Sequence, residues 1–219
     1  AFVAEEYWSI TGTFAPVSNP KELFDANLVQ IKGKKAKISN EKVATELQQR
    51  IRKTAFRVME VKKSKRQRHP APPFTTSTLQ QEASRKLGFS ARKTMSLAQQ
   101  LYEGLEVGDE GTTGLITYIR TDSVRVAREA QEEGRSVIAE MFGKEYVPAK
   151  PRFYKTRAAR AQEAHEAIRP TIIKRSPEVI KPFLTRDQFR LYQLVWNRFV
   201  ASQMKSAIFD AMTINIEGG

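Results

Sequence analysis

The chain has 219 residues, 40% of them hydrophobic, enough to bury one substantial core or two modest ones joined by a hinge. Its formal charge of +13 and pI near 10 favour a polyanionic partner through phosphate contact and counterion release, and nucleic acid leads. The absence of cysteine excludes disulfides, thiolate zinc sites and thiol catalysis, while the lack of a long apolar run, a one-sided basic helix or a secretory signal argues against a membrane and fits a cytoplasmic setting.

The first element expected is a strand over YWSITGTF, residues 7–14, where Trp8, Ile10 and Phe14 alternate with polar side chains. In LVQIKGKKAKI, Gly33 amid lysines offers a turn between two short strands. Asn40 can cap a helix whose Val43, Ala44, Leu47 and Ile51 share one face, and Ala55 to Lys63 reads as strand again. From Lys62 to Pro73, five Lys or Arg residues precede three prolines, a composition expected to end regular structure and mark a domain boundary.

Beyond it the pattern turns helical. Leu79, Ala83 and Leu87 recur every four residues, Gly88 supplies a stop, and Ser90 can cap a helix carrying Met95, Ala98 and Tyr102. Two helices joined so closely suggest a helix-turn-helix, and a non-enzymatic nucleic-acid-binding module of that type is the alternative functional reading. After EGTTG and the apolar run LITYI, a helix with Ala127, Ala130, Val137, Ile138 and Met141 on one side ends near Gly143. Residues 146–162, with Lys150, Arg152, Lys155, Arg157 and Arg160, read as an irregular loop that meets phosphate. Thr185 and Gln188 can form a capping box for a helix burying Tyr192, Val195, Trp196 and Phe199, before AIFDAMTINI returns to strand. The order predicts an α+β fold in which a mainly helical domain, residues 71–184, is inserted into a β-containing hinge domain made of residues 1–70 and 185–219. A start at Ala1 and a stop at Gly218-Gly219 just after a strand read as a piece of a longer protein.

Most tyrosines are core or surface residues, so context must select one for chemistry. In TYIRTDS, residues 117–123, an extended backbone would send Tyr118, Arg120 and Asp122 to one side. A phenol with an ordinary pKa of about 10 is a poor nucleophile at neutral pH and needs nearby positive charge or a proton acceptor. Arg120 can supply the charge and hold a phosphate oxygen through its fork of donors. The competing reading is structural: Asp122 or Ser123 caps the following helix and Arg120 pairs with a carboxylate. A second constellation, HEAIRPT at residues 165–171, sets His165 four positions before Arg169. Arg169 stands where a zinc helix would need its second histidine, so a metalloprotease site is disfavoured; His165 and Arg169 either make structural hydrogen bonds or bind phosphate and tune the proton on Tyr118.

TYIRTDS, HEAIRPT and PPFTTSTLQQEASRKLGFSARKTMSLAQQLYEG, with EEYW near the start and LYQLVWNRFVASQM near the end, resemble the matching segments of type IA DNA topoisomerases over nearly the whole chain. Ile119 after the tyrosine brings them closer to the bacterial topoisomerase I branch than to topoisomerase III or reverse gyrase. The resemblance implies that Tyr118 attacks one strand of single-stranded or negatively supercoiled DNA to give a 5′-phosphotyrosyl intermediate, followed by strand passage and religation without ATP. Arg120 would contact the scissile phosphate, His165 and Arg169 the DNA, and Asp122 and Glu166 would support. It also implies a TOPRIM domain with acidic ligands for Mg2+, for which no DxD motif occurs here, other domains of the same polypeptide as partners, and a place at the bacterial nucleoid.

Overall fold

Capping chemistry sets most of the helix starts. In the computed structural model, which describes residues 5–154 and 165–218 apart from the side chain of Glu110, Asn40 accepts a hydrogen bond from the Val43 amide at 3.0 Å and begins helix α1, Glu41–Ile51. Thr75 and Thr78 form a reciprocal box that starts α2, Thr76–Leu87. Gly88 ends it in the left-handed conformation at φ 71°, and Ser90 starts α3, Ala91–Glu103. Helix α4 spans Arg128–Met141 and the short α5 spans Pro177–Ile180. The box expected between Thr185 and Gln188 forms and opens α6, Arg186–Gln203.

The strands are short apart from two. β1, Thr11–Phe14, pairs antiparallel with β2, Phe24–Asn27. β3, Gln30–Ile31, and β4, Lys34–Lys35, form a hairpin whose turn residues Lys32 and Gly33 both have positive φ, 50° and 74°. That is the type I′ geometry whose twist matches a two-residue hairpin. β5, Phe56–Arg68, pairs with β8, Ala207–Gly218. β6, Leu105–Glu106, pairs with β7, Thr112–Thr113.

The α+β class expected from the sequence holds, and the chain divides into two compact units: residues 1–64 with 210–219, and residues 65–209. In the first, Ile38 and Ala44 are buried. The second holds one apolar core from Phe74 to Val200. Its centre is α6, which buries Leu191, Tyr192, Val195, Trp196, Phe199 and Val200 against α2, α3 and α4. Gly134 lets α4 approach, since a Cβ there would lie 3.3 Å from the Phe199 ring.

Four expectations need correction. The return from the helical part falls near 210 rather than 185, because the apolar stripe of α6 is spent inside the helical core. The run from Lys62 does not end regular structure: β5 continues to Arg68 with every residue exposed, since side chains on an open two-stranded ribbon need not be buried, and only Pro70 onward denies the backbone its donor. Strand structure in residues 7–14 is confined to β1. Met141 on α4 faces solvent at 51% exposure rather than the core.

Candidate active site

Two short segments lie side by side in the helical unit. Antiparallel bridges join Ile116 to Pro170 and Phe74 to Ile168. The Thr117 amide donates to the Arg169 carbonyl at 2.9 Å, and the Thr171 amide to the Leu115 carbonyl at 3.0 Å. The Thr117 hydroxyl adds two bonds, donating to the Ala167 carbonyl at 2.8 Å and accepting from the Arg169 amide at 3.0 Å. The two motifs, some fifty residues apart in sequence, thus form one platform.

Burial alternates along the first segment. Ile119, Thr121 and Ser123 are buried while Tyr118, Arg120 and Asp122 are exposed, so the phenol, guanidinium and carboxylate all reach solvent. The structural alternative does not fit this arrangement. Helix α4 starts only at Arg128 with Ala127 as its uncapped N-cap, and the Ser123 hydroxyl accepts from the Arg125 amide instead. Among the described residues Arg120 pairs with no carboxylate.

Tyr118 stands between two rings. His165 is tilted against it with centroids 5.5 Å apart, and Tyr102 meets it edge-on at 5.6 Å. Tyr102, carried by α3, is 38% exposed and forms a wall beside the phenol. Arg169 is turned inward: its Nε donates to Glu166 at 2.7 Å and its Nη1 to the Pro170 carbonyl at 2.9 Å. The Glu166 and Arg169 pair therefore stiffens the segment that follows His165.

Sequence reasoning assigns no functional part to Thr76 or Tyr102. The run TTST and the Tyr in LYEG are visible, but neither carries a pattern that points across the chain. Of the basic loop, Lys155, Arg157 and Arg160 lie outside the described residues. Arg152 is used internally, with Nε donating to the Met204 carbonyl and Nη2 to the Ser206 hydroxyl, while Lys150 is exposed. In the α2–α3 pair, Lys93 on α3 is held by Asp187 at 2.6 Å and lies over the Phe89 ring, so this hairpin is tied into the helical core. Among the described residues no three carboxylate or imidazole groups lie close enough to hold a metal ion. The described residues do not fit a magnesium site. No helix among the described residues is long and apolar enough to cross a membrane.

Comparison with known proteins places this chain in a family. A family model described as DNA topoisomerase matches residues 1–219. The chain is 47% identical to a DNA topoisomerase 1 of Xylella fastidiosa strain Temecula1, covering 100% of this chain and 27% of the relative. It is 46% identical to a DNA topoisomerase 1 of Rickettsia prowazekii, covering 98% and 28%. The crystal structure of full-length topoisomerase I from Thermotoga maritima superposes with a TM-score of 0.72 at 39% identity, over 97% of this chain and 32% of that one. The chain thus spans about a quarter to a third of the proteins it matches, and it belongs to the DNA topoisomerase family, in its type IA, bacterial topoisomerase I branch.

Proposed function

We propose that this chain carries the DNA-cleaving nucleophile of a type IA topoisomerase that relaxes negatively supercoiled DNA. The phenol oxygen of Tyr118 loses its proton and bonds to phosphorus as the bond from phosphorus to the 3′-oxygen breaks. The products are a 5′-phosphotyrosyl linkage and a free 3′-hydroxyl. A second strand passes through the gap, and the reverse attack reseals the first. Arg120 holds a non-bridging oxygen of the scissile phosphate, where its planar fork can stabilise developing charge. His165, against the phenol ring, contacts the DNA backbone and the tyrosine's surroundings. Arg169 offers its remaining nitrogen to the DNA, and Asp122 and Glu166 support. The substrate strand is single-stranded DNA, and the setting is the bacterial cytoplasm.

The observation that carries this reading is the exposed Tyr118, with a guanidinium engaged by no carboxylate among the described residues two positions on and the His165 ring 5.5 Å away. By resemblance the strand-rich unit serves as the hinge of the DNA gate, and the magnesium ligands belong to a TOPRIM domain of the longer polypeptide. Residues 1–219 alone are accordingly expected neither to cleave nor to relax DNA. The test is a full-length polypeptide carrying this chain, incubated with a labelled single-stranded oligonucleotide and denatured. A covalent adduct that maps to Tyr118 is expected, and Tyr118→Phe should abolish it while noncovalent binding persists. A Phe variant that still forms the adduct excludes the assignment.

A further inference from the structure

Thr76, in the first turn of α2, reaches the backbone on both sides of Arg120. Its hydroxyl oxygen lies 2.7 Å from the Ile119 carbonyl, 3.1 Å from the Thr121 carbonyl and 2.9 Å from the Thr121 amide. One proton can be donated, shared between the two carbonyls, and one lone pair accepts from the amide. The Thr76 amide also donates to the Thr121 carbonyl at 2.9 Å. One residue thus fixes the peptide units that flank Arg120, at the point where the chain bends and regular pairing ceases.

Arg120 has no such fixture of its own. Its side chain is exposed and, among the described residues, has no hydrogen-bonded partner. Any precision in where its fork points must come from its backbone, and that backbone is referenced through Thr76 to a capped helix. Helix α2 is itself anchored by Phe74 and Leu79, both fully buried, and Arg198 lies 4.4 Å over the Phe74 ring while reaching Glu82 on α2 at 3.4 Å.

We infer that Thr76 is a positioning residue for Arg120, setting the guanidinium against the phosphate without touching DNA. This rests on the role proposed for Arg120. Thr76→Val keeps the shape and removes the hydroxyl, freeing the Ile119 carbonyl and Thr121 amide; Thr76→Ser keeps the hydroxyl. Because a misplacement of about 1 Å can cost on the order of 100-fold in rate, Thr76→Val should slow single-turnover cleavage by roughly 10- to 100-fold with little change in DNA affinity, and Thr76→Ser should restore most of it.

A purely structural residue would also lower stability, so the deciding readout is a double-mutant cycle with Arg120→Lys in the full-length polypeptide. If Thr76 acts through Arg120, the double variant is little slower than the slower single variant. Additive losses, or equal rates for the Thr76→Val, Thr76→Ser and unsubstituted proteins, overturn the inference. Should Thr76→Val fail to fold by circular dichroism, Thr76→Cys, with its weak donor, enters the same cycle under the same criteria. Failure of the underlying reading shows separately, as an unsubstituted protein that forms no adduct at Tyr118.

Discussion

The two units of this chain handle apolar surface in opposite ways. Residues 65–209 close a core around α6 in which Leu79, Ile138, Tyr192 and Phe199 are essentially inaccessible. In residues 1–64 and 210–219, by contrast, Leu23, Val29, Val58, Met59, Met212 and Ile214 remain exposed. The candidate chemistry sits on the first kind of scaffold. A reacting group held to within a few tenths of an ångström needs neighbours whose own positions are fixed by packing, and only the helical unit supplies them. A ribbon such as β5 with β8 can bend or carry charge, but it does not hold a phenol in register.

The strongest way to break this comparison is through the core. Phe199→Ala should lower stability by about 3–5 kcal/mol, whereas Val58→Ala on the exposed ribbon should stay within about 0.5 kcal/mol. Denaturant midpoints at constant slope would show the difference, and equal effects would mean that the ribbon is as well packed as the helices. Next comes a change that leaves the scaffold untouched. Arg120→Lys should slow cleavage by roughly 10- to 100-fold, because an ammonium cannot reproduce the bidentate fork, with no shift in thermal midpoint. A parallel loss of stability would show that Arg120 serves the fold.

A smaller effect should come from the ribbon's charge. Replacing Lys63, Lys65 and Arg66 with Gln should flatten the dependence of log affinity for single-stranded DNA on log salt by about 0.7 for each phosphate no longer neutralised, without altering cleavage at saturating DNA. An unchanged slope would remove β5 from the DNA track. The smallest effect concerns acid stability of the helical unit. The Glu82 carboxyl is held below its ordinary value of 4.5 by its hydrogen bond from Lys86, partly opposed by burial and aided by the charges of Arg198 and Arg85. A depressed carboxylate pKa stabilises the fold above the unfolded value and loses that contribution as pH falls through the folded one. Glu82→Gln should therefore cost a few tenths of a kcal/mol at neutral pH and progressively less as pH falls below the ordinary carboxylate value and through the lowered folded one, a trend visible in melts at decreasing pH.

Amphipathic spacing and capping residues are readable directly: Asn40, Ser90, Thr185 with Gln188, and the buried positions of α6 all behave as local chemistry dictates. The same holds for the solvent side of TYIRTDS, because period-two alternation is a property of the backbone itself. Expectation and structure part where a local rule meets a neighbour from far along the chain. The lysine-rich run continues as strand because β8 pairs with it from some 150 residues away. Tyr102 on α3 meets the Tyr118 ring, a contact between separate segments that the helical spacing around Tyr102 does not announce.

The sequence by itself determined the basic character, the helices and their caps, and a nucleophile candidate set apart by its neighbours Arg120 and Asp122. Only the tertiary structure decided that His165 stands against Tyr118, that Arg169 turns to Glu166, and that Thr76 grips the backbone around Arg120. The physical reason is range. Periodicity and capping are settled within one or two turns of chain, whereas a hydroxyl that bonds a carbonyl 43 residues away owes its partner to how the whole core packs, and no local pattern encodes that distance.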